Sequence, residues 1–279
     1  MSQYVVEFGK AGAQSEPDGR LDAPACHRNH KPIWSVLGEF LKGRSGHVLE
    51  VGSGTGQHIV EFARQSPQIS WWPSDLNEKH LRSIAAWRAY KQLANVKAPV
   101  RIDLLEDGWR LREMGVPTEL LAIFCANVLH IAPWPVAEGL MSGAARYLAS
   151  GGHLFIYGPF MREGKHTAAS NAEFDASLKD ANPEWGVRDV GDLSALAASV
   201  NLRLAGIAEM PPIMRSSFLS ALRNPPLAEN GCELRAAFLM AARRRLSPRD
   251  HGAYQVFLLQ YAHEQHAEHM DDRERKHQI

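Results

Sequence analysis

The segment that most restricts this chain is Val48-Leu49-Glu50-Val51, which runs without a break into Gly52-Ser53-Gly54-Thr55-Gly56-Gln57. A short apolar run that ends on glycines reads as a buried strand. The residues after it, 57–64, carry helical spacing. A strand, a glycine turn and a helix in that order open a doubly wound α/β sheet. In such a sheet the turn lies at the carboxyl end of the first strand, where ligands bind. Glycine is wanted there because it tolerates positive φ and lets a ligand come close to the backbone.

The rest of the chain continues the rhythm. A helix over 32–41 precedes the first strand. Strands follow at 69–75, 99–104, 120–129, 153–157 and 202–208. Helices separate them at 77–93, 135–148, 174–179 and 192–200, and Ser170-Asn171-Ala172-Glu173 offers a capping box for the third of these. Alternation of this kind gives a mostly parallel, twisted sheet with helices on both faces, joined by right-handed crossovers. Residues 1–22 are polar and read as a loose lead-in, and 23–212 form the ligand-binding domain. After Met210-Pro211-Pro212 the periodicity fades, so 213–279 are set apart as an atypical tail. The seventh strand of the sheet is left open. Val256–Gln260 is one source for it, and an unpaired edge is the alternative.

Charge and cysteine content exclude several function classes. Lys plus Arg and Asp plus Glu are equal at 31 each. A protein that binds nucleic acid without sequence preference needs a basic surplus to displace counterions, so none is expected as a partner. The three cysteines, Cys26, Cys125 and Cys232, are far apart and form no CxxC pair. They indicate neither a disulfide framework nor a zinc site, and Cys125 reads as inert core. His263, His266 and His269 miss the HExxH spacing of zinc proteases, and no metal is expected. The N-terminus lacks an apolar signal core and no apolar run spans a bilayer, so a cytoplasmic protein is expected.

Two cofactors compete for the glycine turn. A dinucleotide favours G-x-G-x-x-G with its pyrophosphate on the helix N-terminus. Here the glycines fall at 52, 54 and 56, and Gln57 stands where the third dinucleotide glycine belongs. Glu50 adds a negative charge, which S-adenosylmethionine (SAM), having an ammonium and a sulfonium but no phosphate, tolerates. The pattern Glu50-x-Gly52-x-Gly54-x-Gly56 therefore favours SAM, held by Glu50, Gly52, Ser53, Gly54, Thr55 and Gly56. Asp75, roughly 20 residues on, is placed to accept the two ribose hydroxyls. Asp103, ending the third strand, is placed to face the adenine amino group. Helix capping is the plain alternative for both acids.

With these residues in view, 23–211 resembles the little-characterised family that includes methyltransferase-like protein 26. The resemblance rests on APACHRNHKPIW, LEVGSGTGQHIVEFA, WWPSDLN, SIAAW, ANVLHIAPW, GGHLFIYGPF, SNAEFDASL and WGVRD. It implies a Rossmann-like class I methyltransferase fold with SAM as cofactor, and it supplies no substrate.

Methyl transfer from a sulfonium is an in-line displacement, in which the protein chiefly orients and excludes water. A base is needed only for an acceptor whose proton must leave early. Asn127 and His130 follow the fourth strand and are placed to face the methyl group, with His130 as the candidate base. Arg28, Asn29, Trp134, Tyr157 and Arg188 are candidates for the substrate pocket, and Arg188 there suggests an anionic acceptor. The expected function is a SAM-dependent methyltransferase for a small molecule. An NAD(P)-dependent oxidoreductase and a non-catalytic SAM-binding scaffold are the alternatives.

Overall fold

The computed structural model describes residues 14–210 and 217–223. A two-strand hairpin comes first, β1 (Gln14–Ser15) with β2 (Leu21–Asp22), followed by α1 (Pro24–Leu41). The sheet then builds through β3 (Gly46–Val51), α2 (Gln57–Gln65), β4 (Ile69–Asp75), α3 (Glu78–Lys91) and β5 (Val100–Arg101). β6 (Leu120–Ala126), α4 (Trp134–Tyr147) and β7 (Leu148–Gly158) carry it to the other side of β3. An excursion follows, made of β8 (Phe160–Arg162), β9 (Lys165–His166), α5 (Ala169–Ala181) and β10 (Arg188–Asp189). α6 (Val190–Ser199), β11 (Leu202–Glu209) and β12 (Ser217–Arg223) close the described chain.

Seven strands form one sheet in the order β11-β12-β7-β6-β3-β4-β5. All pairings are parallel except those of β12, which runs antiparallel to both β7 and β11. The chain steps outward from β3 through β4 to β5, then crosses to β6 on the opposite side. The carboxyl ends of β3 and β6 thus flank the point where the strand order reverses, which is where open α/β sheets bind ligands.

Strand pleat sorts the side chains onto two faces. Val48, Ala122, Phe124, Phe155, Tyr157 and Phe218 pack with Ile33 and Leu37 of α1 and Ile59 and Phe62 of α2. Leu49, Ile123, Leu154, Ile156 and Leu219 pack with Leu140 of α4 and Leu193 of α6. Buried apolar residues on both faces are what a mostly parallel sheet requires.

Several expectations are corrected. The seventh strand is Ser217–Arg223, so the sheet extends past residue 212 into the stretch set apart as a tail. Its signal, Phe218, Leu219, Ala221 and Leu222, was masked by Pro211 and Pro212 just before it. It enters between β7 and β11, so among the described residues Leu202–Glu209 is an edge strand. Val256–Gln260 lies outside the described residues. The end of the lead-in is fastened to the domain: Leu21 is buried, its amide donates to Ser83 Oγ at 2.8 Å, and its carbonyl accepts Trp87 Nε1 at 2.9 Å. α1 starts at Pro24, and Pro32 lies inside it. The third strand is only Val100–Arg101. The capping box at Ser170 is absent: Ala168 is the N-cap of α5, and Ser170 Oγ has no hydrogen-bond partner.

Candidate functional site

The turn after β3 is held by its own backbone and by β4. Gly52, Gly54 and Gly56 have φ of 67°, 58° and 87°, the left-handed region that glycine enters without strain. Ser53 and Ser74 bond reciprocally: Ser53 N donates to Ser74 O at 2.8 Å and Ser74 N to Ser53 Oγ at 3.1 Å. The Gly54 amide donates to Asp75 Oδ2 at 2.8 Å. Asp75 Oδ1 accepts from Asn77 N at 2.9 Å and lies 3.1 Å from His80 Nδ1.

Two of the glycines are also demanded by protein neighbours. A Cβ on Gly52 would lie 2.5 Å from Val128 Cγ2, and one on Gly56 would lie 2.9 Å from Ile84 Cα. Gly52 therefore brings the turn after β3 into direct contact with the loop after β6, across the switch point. Asn127 enters that loop with φ of 58°, its amide donating to Tyr157 O at 2.8 Å.

Glu50 is buried, and its Oε2 has no hydrogen-bond partner. Burial pushes its carboxyl up to about 8, with a smaller rise from the nearby Asp75 charge. A buried carboxyl oxygen without a hydrogen-bond partner is a costly arrangement that calls for an explanation. A cationic ligand group beside it supplies one. SAM carries such a group in its ammonium, so these residues fit that cofactor.

The N-terminal segment reaches the same turn. Gln57 Oε1 accepts from Thr55 Oγ1 and from Ala23 N, each at 2.8 Å, and Gln57 Nε2 donates to Asp22 Oδ1. Asn29 is buried, with Oδ1 2.7 Å from His58 Nε2 of α2. Arg28 is exposed on α1 and is not brought in with it. Both residues lie within α1, whose start at Pro24 is earlier than the expected residue 32. Asp103 is buried, and its Oδ1 accepts from Leu105 N at 3.0 Å, a local turn. Tyr157 is 3% exposed and belongs to the core against α1 and α2.

His130 sits in a 3-10 turn, Leu129–Ile131. Its ring meets Phe174 edge-on at 5.4 Å. Burial, aided by the Arg188 charge, lowers it to about 4, so it is neutral at pH 7 and a weak proton acceptor. Arg188 Nε donates to Leu129 O at 3.1 Å, and its Nη2 serves Ala132 O and Glu184 O. Two of the three guanidinium nitrogens are thus on carbonyls, which departs from the anion-binding role expected of Arg188. Trp134 and Arg188 do come together, 5.9 Å apart, in the wall of a cleft of about 280 Å³. Among the described residues no three His, Cys, Asp or Glu side chains are placed to hold a metal, and no helix is long and apolar enough to cross a membrane. Burial pushes the Cys125 thiol far up, which keeps it unreactive.

The sequence reading missed Gln57, His58, His80, Ser83 and Gly186. Their links span strands and helices, and only Gln57, next to the third glycine, stood in a recognisable pattern.

A family model described as "Protein of unknown function (DUF938)" matches residues 20–219. The chain belongs to this family. Solved structures of similar fold include an O-methyltransferase family protein from Burkholderia thailandensis. It is 18% identical with a TM-score of 0.59, over 71% of this chain and 56% of that one. Mitomycin 7-O-methyltransferase MmcR is 14% identical with a TM-score of 0.58, over 70% and 54%. CalO1, a methyltransferase in calicheamicin biosynthesis in its SAH-bound form, is 18% identical with a TM-score of 0.54, over 72% and 55%. The chain spans just over half the length of these structures. The likeness shows that its fold is that of methyltransferases.

Proposed function

We propose that this protein is a SAM-dependent methyltransferase acting on a small molecule. The observation that carries the reading is the buried, donor-less Oε2 of Glu50 at the carboxyl end of β3, beside a glycine turn bonded to Asp75. Glu50 would hold the ammonium end of the cofactor, the amides of 52–56 its backbone-facing side, and Asp75 the ribose. Asp103 and Asn127, in the loops that follow β5 and β6, would complete the cofactor wall. The cofactor supplies an electrophilic methyl group with a neutral leaving sulfur. The chain's part is to orient the acceptor and exclude water. His130, neutral and of low proton affinity, suits an acceptor that needs no strong base.

The small-molecule reading is supported by the balanced charge of 31 basic and 31 acidic residues and by the names of two proteins of similar fold, the mitomycin 7-O-methyltransferase MmcR and CalO1 of calicheamicin biosynthesis. The finer kinship, with methyltransferase-like protein 26, rests on the segments from APACHRNHKPIW to WGVRD. A cytoplasmic location belongs to the same reading.

Incubation with methyl-labelled SAM and a deproteinised cell extract tests this function. Label should move into small molecules. Label found on protein or RNA would overturn the substrate class. No transfer, with SAM still bound, would favour the scaffold.

A further inference from the structure

Between β7 and α6 the chain leaves the sheet for residues 159–189, and this excursion is fastened to the loop after β6. Gly186 N donates to His130 O at 3.0 Å, Arg188 grips Leu129 O and Ala132 O, and Phe174 packs on the His130 ring. The same loop rests on Gly52 through Val128. The excursion is therefore tied, through one short loop, to the glycine turn.

The cleft of about 280 Å³ lies where the excursion meets the start of α4. Trp134 and Trp185 give it two flat aromatic faces, with Met161 beside them, in a wall that is otherwise largely polar. The indole Nε1 of Trp185 is buried and has no hydrogen-bond partner. A buried donor left unpaired points to a partner that arrives with a ligand or follows a small side-chain shift on binding. The charges around the cleft oppose an anion. Lys179 is 2.7 Å from Asp175 Oδ2, and Arg188 Nε and Nη2 are on carbonyls. Glu184, Asp189 and Asp192 also line the cleft, three acids against the two cations Lys179 and Arg188. Asp189 is committed to Gly164 N and Gly191 N, while Glu184 and Asp192 are exposed acids in the cleft wall that disfavour an entering anion.

We propose that this cleft is the acceptor site, and that it takes a neutral, planar aromatic molecule which stacks on Trp134 and offers an oxygen or ring nitrogen to the Trp185 indole N–H. The assignment rests on the methyltransferase reading. It replaces the anionic acceptor that Arg188 alone suggested, and it makes Arg188 a positioning residue.

The probes are 2-naphthol and 2-naphthoate, which share a ring system and differ in charge at pH 7. The full chain, labelled with ¹⁵N, is titrated while the tryptophan indole resonances are followed, with Trp134→Phe and Trp185→Phe identifying two of them. 2-Naphthol should move those two resonances and leave that of the core residue Trp71 in place. 2-Naphthoate should bind about tenfold more weakly, and Trp134→Leu should weaken 2-naphthol by a similar factor. Shifts spread over all indoles, or no shift at Trp185, would overturn the site. Equal or tighter binding of 2-naphthoate would overturn the neutral class. S-adenosylhomocysteine is titrated into the same sample. If it fails to bind, the methyltransferase reading falls and the acceptor role falls with it, while a localised 2-naphthol response would still mark a ligand cleft.

Discussion

Asp75 Oδ2 accepts the amide proton of Gly54 at 2.8 Å, which joins the end of β4 to the turn after β3. One carboxylate thereby shapes the turn while its second oxygen takes Asn77 N. Asp75→Ala should lower S-adenosylhomocysteine affinity more than about tenfold and reduce Tm by about 5 °C, since a charge-assisted bond is lost from a buried turn. Titration calorimetry and a thermal melt read the two effects. Unchanged affinity with a lowered Tm would reduce Asp75 to a structural cap.

Gly52 and Val128 make a second testable pair. Gly52→Ala adds a methyl group 2.5 Å from Val128 Cγ2 at a φ of 67°. It should cost about 2–4 kcal/mol, from overlap and left-handed strain together. Val128→Ala in the same chain should recover the overlap share and leave about 1 kcal/mol of backbone strain. Denaturant unfolding of the single and double variants measures this. Simple additivity of the two changes would show that the contact is not the cause.

The glycine turn, the order of the central elements along the chain and the acid Asp75 at the end of β4 were legible because they depend on residues close in sequence or on short-range periodicity. β4 was read to the residue, since apolar Ile69, Trp71 and Trp72 end at Pro73-Ser74-Asp75. β12 was not, because a strand inserted antiparallel between β7 and β11 has no local marker beyond its own apolar run. The roles of Arg188 and Asn29 were also out of reach. Their partners, Leu129 O and His58, are brought near only by the fold.

Glu50 predicts a pH dependence of stability. Its folded value of about 8 lies above the ordinary 4.5, so the native state holds an extra proton between those limits. On this group's account stability is fully present below about 4.5 and is lost as pH rises through about 8. From pH 6 to 8, native protein should lose stability relative to Glu50→Gln by up to about 1.4 kcal/mol per pH unit. Parallel pH curves for the two proteins would show that Glu50 is not protonated in the fold.

The placement of β12 predicts hydrogen-exchange rates. Amides of Phe218–Leu222, paired on both sides, should be protected nearly as well as those of Val48–Val51. Those of the edge strand Leu202–Glu209 should exchange faster, because an edge opens locally. Cutting the chain after residue 212 should bare the hydrogen-bonding edge of β7 and cause aggregation. Free exchange at 218–222 would contradict the sheet order.

The central claim is that the turn from Glu50 to Gly56 holds SAM. Titration calorimetry of the full chain with SAM, S-adenosylhomocysteine, NAD and NADP tests it most directly. The account predicts one-site binding of the first two, weakened more than about tenfold by Gly54→Val, and no heat from the dinucleotides. Binding of NAD or NADP with no response to SAM or S-adenosylhomocysteine would contradict it.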